Sequence, residues 1–375
     1  MNRKIFLLFI VLFLGIVATA TLIIKLNHPK NIPIGVALNL SGHGAARGQT
    51  LKEGIIVAVK ELNQYGGING KHLNLFIEDD QNTKEGVISA DKRLLERQCP
   101  VIIGHNTSKN TLTAYPLIVG NGKILISSCT TTTALSGKDD FFFRTSVDNA
   151  LFAKAWAKIL KDNDIHSITL LIDMSNREFS KDLGKQIGHY FDGEIQEAVI
   201  NTNKNVDWNG TITPIIYKKS HAVILITNPK DTAIALQKLR ALGYSGNIYA
   251  TAWAQGQELL SYGGKSVEGL KLVSFAPPLQ KSAYEKINLL MQKYFHKEAT
   301  IGSAVGFELI MILADAMKRC KDLAMDPTCI KRNLLAGQYS PLAETITFDK
   351  FGDIKRSIYE LEVKNGQFVV SKQIL

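Results

Sequence analysis

The stretch Pro100–Thr111, PVIIGHNTSKNT, is a short apolar run that stops abruptly in amide and hydroxyl side chains. The pattern recurs in Lys123–Ser136, KILISSCTTTTALS, where Ser127, Ser128, Thr130, Thr131, Thr132 and Thr133 crowd the end of the run. A continuous apolar run bounded by turn residues reads as a strand buried on both faces. Between the two, NTLTAYPLIVGNG reads as a helix. Strand, helix, strand is the unit of a parallel sheet covered on both sides, and the chain repeats it in both directions.

Upstream, IPIGVAL is a strand, followed by a helix from about Gly48 to Asn63 in which Leu51, Ile55, Val59 and Leu62 recur at helical spacing. YGGING closes that helix with the glycine that helix ends favour. LNLFIEDD is then a strand and TKEGVISADKRLLER a helix. Downstream come SITLLID, a helix through Gly184 and Ile187, EIQEAVI, HAVILIT, a helix around Ala233 to Leu242, and NIYATA. The two runs of alternation are separated near FFFRTSVDN, which predicts an α/β fold of two doubly wound, parallel-sheet lobes. A length of 375 residues agrees with two medium cores.

In open parallel sheets, ligands bind beyond the carboxyl ends of the strands, where loops lead into helix N-termini. Hydroxyls and free backbone N–H groups in a first helical turn suit a carboxylate or phosphate. Two neighbouring strands each ending in such a turn would grip one anion from two sides. The plainer reading is capping, with Asn106 or Ser108 opening one helix and Thr131 or Thr132 the next. The repeated chemistry at adjacent strand ends favours a site.

The composition, 45% hydrophobic and 21% charged, is that of a globular protein. The net charge of +10 favours anionic partners, but Lys and Arg are spread without a run, so no nucleic-acid footprint is expected. Ile5 to Ile24 is an uncharged stretch of 20 residues preceded by the positive MNRK, long enough to span a bilayer and oriented to leave the rest of the chain outside the cytoplasm. Ala18-Thr19-Ala20 also fits a signal-peptide cleavage site, so residues 1–30 read as a signal peptide or as an anchor through 5–24. Both readings place the chain in the periplasm or at the cell exterior. Export makes disulfides possible. Cys320 and Cys329 flank a helix end, a turn and a helix start, and are expected to pair. Cys99 precedes its strand and Cys129 follows the neighbouring one, which separates their sulfurs by about 15 Å, too far to bridge.

The segments SGHGAARGQTLKEGIIVAVKELNQYGGINGKHLNLFIEDDQN, VIIGHNTSKNTLTAYPLI, ILISSCTTTTALS and FFFRTSVDN together resemble the periplasmic branched-chain amino-acid binding proteins, of the type I solute-binding fold. The likeness runs from about Ile32 through GGKSVEGL, VGFELIMILADAM and FDKFGDIK. It implies two lobes, 31–146 with 276–345 and 147–275 with 346–375, joined by a hinge that the chain crosses three times, near Thr145, Phe275 and Phe348. It also implies that Ser108, with Thr107 beside it, binds a ligand carboxylate, and that Cys129, Thr130 and Thr131 form the turn that holds the ligand. Phe179 would lie over the ligand as a lid, and Asn228 would line the cleft from the second lobe.

Two positions depart from that pattern. The acidic residue that pairs the ligand ammonium in amino-acid binders falls at or next to Ala252, where Trp253 is the conspicuous side chain. Burying an ammonium without a partner costs several kcal/mol, so a standard amino acid is disfavoured. Arg47 stands where an aromatic usually touches the ligand side chain; facing the cleft, it would attract a second acidic group or an aromatic ring.

The expected activity is capture of a small carboxylate ligand, an amino acid or related organic acid, without catalysis, cofactor or metal. The ligand would pass to an ABC permease or be presented to a membrane sensor, either acting in trans. The enzyme rival is a dinucleotide-binding dehydrogenase: SGHGAARG follows a strand, and Asp79 and Asp80 end the next one. Gly42, Gly44 and Gly48 miss the fingerprint spacing by one residue, and the eight histidines show no metal-ligand spacing.

Overall fold

A computed structural model describes residues 31–42, 44–276, 281–342 and 344–375. The expectation for Ile5 to Ile24 lies outside these residues, and among the described ones no helix is long and apolar enough to cross a membrane.

The first half of the chain lays down β1 (Asn31–Leu38), α1 (Ala45–Gln64), β2 (His72–Asp79), α2 (Lys84–Glu96), β3 (Val101–Gly104), α3 (Ser108–Gly120), β4 (Ile124–Ser127) and β5 (Phe142–Arg144). Its strands form one parallel sheet in the order β2-β1-β3-β4-β5. The β3–β4 register sets Val101 beside Ile124 and Ile103 beside Ile126, so the two hydroxyl-rich strand ends emerge side by side. All eight residues of β3 and β4 are buried, which is why they read as unbroken apolar runs.

The second sheet contains β6 (Ser167–Asp173), β7 (Glu194–Ile200), β8 (Ala222–Ile226), β9 (Asn247–Thr251) and β10 (Lys271–Ser274), all parallel. Helices α4 (Asn149–Asp162), α5 (Arg177–Tyr190), α6 (Trp208–Lys218), α7 (Pro229–Ala241) and α8 (Gln257–Gly263) alternate with these strands. At one edge the hairpin β14 (Tyr359–Lys364) and β15 (Gln367–Gln373) adds two antiparallel strands, so this sheet is mixed where strict alternation had suggested a wholly parallel one. The two parallel-sheet lobes are those expected.

The chain returns to the first lobe in α9 (Lys281–Phe295), α10 (Ile301–Arg319) and α11 (Pro327–Ala336). Helices α1 and α10 touch backbone to backbone. A Cβ on Gly54 would stand 1.9 Å from the Ser303 carbonyl oxygen, and one on Gly306 would stand 2.3 Å from that of Leu51. Cys320 and Cys329, bracketing the α10–α11 corner, are disulfide-bonded, while Cys99 and Cys129 are free. Burial pushes the Cys99 thiol up to about 11, which suppresses the thiolate. Closing a loop with a sequence separation of 9 should stabilise by about 2 to 3 kcal/mol through the unfolded chain. Urea unfolding with and without reductant checks this; an unchanged midpoint would count against it.

A small antiparallel sheet, β11 (Gln338–Tyr339), β12 (Ile346–Phe348) and β13 (Ile354–Lys355), packs on the edge of the first lobe. Phe348 stands edge-on to Phe143 at 5.5 Å, and Asp353 accepts from Arg144 Nε at 2.7 Å. The expected division at 345/346 falls inside this sheet, and we propose that the last crossing lies at Arg356–Ile358. Arg356 links all three crossings. Its guanidinium donates to the Thr145 carbonyl at 3.1 Å, pairs with buried Glu308 at 2.9 Å and lies over the Phe275 ring at 5.2 Å.

Candidate functional site

The hydroxyls that end β4 are consumed unequally. Ser127 Oγ accepts from the N–H groups of Cys129 and Thr130, both at 3.2 Å, and donates to the His105 carbonyl at 2.8 Å. Thr130 Oγ1 bonds to Ser127 Oγ and to Thr111 Oγ1, at 2.9 and 2.6 Å. These groups fold the turn itself. Behind it, fully buried Arg144 donates to the Thr132 carbonyl at 2.9 Å and to Ser136 Oγ. Thr131 is the exception: its Oγ1 is buried, has no hydrogen-bond partner among the described residues, and belongs to a residue lining a cavity between the lobes.

That cavity draws Arg47, Asn106, Cys129 and Thr131 from the first lobe. The second lobe supplies Asn176, Phe179, Thr251 and Trp253, with Phe152, Trp156 and Phe275 completing an aromatic wall. Phe179 and Trp253 meet edge to face at 5.5 Å. Thr251 Oγ1, at the end of β9, is the counterpart of Thr131 Oγ1: buried and without a hydrogen-bond partner among the described residues. An unpaired buried hydroxyl costs about 1 to 3 kcal/mol, so one on each side of a cavity calls for a ligand that answers both.

The other expected site residues do not line the cavity. Thr107 is the N-cap of α3, its Oγ1 accepting from Asn110 N–H at 3.2 Å. Ser108 Oγ accepts from Thr131 N–H at 3.3 Å and so joins the two turns to each other. Asn228 caps α7 by accepting from Asp231 N–H at 3.1 Å. Thr107, rather than the expected Asn106 or Ser108, caps α3, and Thr107 and Asn228 each sit at the one position where a side-chain oxygen reaches orphan N–H groups.

Several contacts tie the lobes together around the cavity. Arg47 Nη1 donates to the carbonyls of Ala252 and Trp253 at 3.5 and 3.3 Å. Lys109 N–H donates to Asn176 Oδ1 at 3.4 Å. On the other rim, Asp182 of α5 accepts from Thr133 N–H at 2.8 Å and from Thr133 Oγ1 at 2.7 Å, and is steadied by Asn149 Nδ2 at 2.8 Å. The lobes are therefore closed in this structure.

A profile of the periplasmic binding protein family matches residues 31–367. The chain belongs to the periplasmic binding protein family. Among relatives of this binding protein is the Leu/Ile/Val-binding protein homolog 2 of Brucella abortus, 22% identical over 364 residues that cover 95% of this chain and 96% of that one. A leucine binding protein from Thermotoga maritima superposes with a TM-score of 0.83, at 22% identity, over 92% of this chain and 98% of its own. An ABC-transporter solute binding protein from R. palustris, solved in complex with benzoate, gives 0.80 at 15% identity, over 92% and 96%. The family is one of solute-binding proteins, not of enzymes, and the structure explains the features that suggested a dehydrogenase. Gly48 allows α1 to approach β1: a Cβ there would lie 1.9 Å from the Asn39 carbonyl oxygen.

Asp80, the acid placed to hold a ribose, instead belongs to a buried triad of the binding protein that sequence reasoning missed. His105 Nδ1 lies 2.6 Å from Asp80 Oδ2 and Nε2 lies 3.3 Å from Asp91 Oδ1, all three side chains fully buried. The second contact is an ion contact without hydrogen-bond alignment. Burial opposes charge on the imidazole, but Asp91 and Asp80 outweigh it and push His105 up to about 9. These contacts join the β3–α3 turn to the end of β2 and to α2, one residue before Asn106 of the cavity wall.

Proposed function

We propose that this binding protein is exported and captures a small carboxylate-bearing solute, an amino acid or related organic acid, between its lobes for uptake through an ABC permease. The observation that carries the reading is the inter-lobe cavity with Thr131 Oγ1 and Thr251 Oγ1 unpaired on opposite sides and Arg47 on its wall. A net charge of +10 favours an anionic cargo. The name of the Brucella abortus relative and the benzoate of the R. palustris protein support a small carboxylate of one kind or the other. A retained anchor at Ile5 to Ile24 would favour presentation to a membrane sensor instead.

Thr131→Val tests the site. The substitution is close to isosteric and removes a hydroxyl that has no hydrogen-bond partner among the described residues, so the unfolding midpoint should hold or rise slightly. The melting-temperature shifts produced by a panel of leucine, benzoate and succinate should collapse, with affinity down about tenfold or more for the loss of one charge-assisted hydrogen bond. Lower stability with full ligand response would place Thr131 in the scaffold.

A further inference from the structure

Resting on that reading, we infer that Arg47 holds the charge of the ligand, and that the ligand is a carboxylate with a flat apolar body and no ammonium group. Arg47 lies in the first turn of α1, half-buried on the cavity wall. Its hydrogen bonds come from Nη1 alone and go to two backbone carbonyls, at 3.3 and 3.5 Å; among the described residues no carboxylate pairs with it. Arg47 lines both the cavity between the lobes and the outer space that adjoins it. Guanidinium and carboxylate match as a two-pronged pair, and that pair strengthens as closure removes water. Ser108 does not line the cavity; its Oγ accepts from Thr131 N–H and joins the two turns.

The rest of the wall argues against an amino acid. None of the described residues lining the cavity is acidic. An α-ammonium would be buried near Arg47 with no counter-charge, which costs several kcal/mol. Glu258 lines only the adjoining outer space, which shares Arg47, Cys129, Ala252 and Phe275 with the cavity. The rings of Phe179 and Trp253, edge to face at 5.5 Å, and of Phe152 and Phe275, at 6.3 Å, give the cavity an aromatic wall against which a planar apolar body can lie. Thr131 and Thr251 then meet the second carboxylate oxygen or a ring hydroxyl, one from each lobe.

Titration calorimetry with benzoate, 4-hydroxybenzoate, leucine and phenylalanine tests this on the intact chain and on Arg47→Gln, Arg47→Lys, Thr251→Val and Glu258→Gln. Benzoate or 4-hydroxybenzoate should bind the natural chain at least about a hundredfold more tightly than either amino acid. Arg47→Gln should weaken that binding by about a hundredfold, and Arg47→Lys by less, because it keeps the charge but loses the fork. Thr251→Val should narrow the preference for 4-hydroxybenzoate over benzoate. Tighter binding of leucine or phenylalanine, above all if Glu258→Gln abolished it, would overturn the inference while leaving the carboxylate reading intact. So would an Arg47→Gln variant that melts cooperatively and binds benzoate within threefold of the natural chain. Silence of all four acids would overturn the carboxylate reading itself, and this inference with it.

Discussion

Raising the pH from 6.5 through about 9 is expected to remove about 3 kcal/mol of folding stability, because His105 releases its proton from between two buried carboxylates. The folded-state pKa lies above the ordinary value, so the contribution is complete below pH 6.5 and is lost as pH rises through about 9. Asp80 and Asp91 would then be left facing a neutral ring with no compensating charge. The check is denaturant unfolding across that window for the natural chain and for His105→Gln. The variant should be less stable by about 3 to 5 kcal/mol at the acid end, the cost of breaking a buried ion group, and its pH slope should be flatter. Parallel slopes would show that the triad does not carry the dependence. Because His105 directly precedes Asn106 of the cavity wall, ligand affinity should fall over the same window.

Asp182→Ala should weaken ligand binding by about thirty- to a hundredfold without removing any group that lines the cavity. The carboxylate holds the second lobe against Thr133 through two hydrogen bonds, at 2.8 and 2.7 Å, two residues beyond Thr131. Bonds to a charged acceptor contribute about 1.5 to 3 kcal/mol each before the solvent exposure of this rim is discounted. Losing both makes the closed state a minor population, and apparent affinity falls by that fraction. Calorimetry with benzoate and leucine measures the loss. Scattering from the unliganded variant should show a more open particle than the natural chain. Unchanged affinity and an unchanged profile would mean that closure depends on Arg47 and Asn176 instead.

The central strands were legible because they are buried on both faces, and the half-exposed edge strand β7 because it follows them in the same alternation. SITLLID and EIQEAVI coincide with β6 and β7, and ILISS runs one residue past β4. The last third was much less so. Strands β11 to β13 have two or three residues each, too few for any period to register. Helix α10 is buried around most of its circumference, which erases the apolar stripe.

At the site, sequence could place a run of hydroxyls at a strand end but could not say which one stays free. Ser127 and Thr130 are consumed by the turn's own N–H groups and hydroxyls, and only the folded backbone decides that. Thr251 carried the same signal, a hydroxyl at a strand end, and the rule applied to β4 would have found it in NIYATA. The His105 triad had no such signal. Asp80 and Asp91 lie 25 and 14 residues before His105 along the chain, and the three meet only because β2, α2 and β3 pack together. Asp182 reads as an ordinary charge on an amphipathic helix until the other lobe closes on it.

The most direct test of a solute held between closing lobes is a crystal structure of the chain grown with benzoate. The account predicts density for one molecule between Thr131 and Thr251, its carboxylate on the Arg47 guanidinium and its ring against Phe179 and Trp253. Benzoate bound on the outer surface, or an inter-lobe cavity holding only solvent while Arg47 keeps its bonds to Ala252 and Trp253, would contradict it.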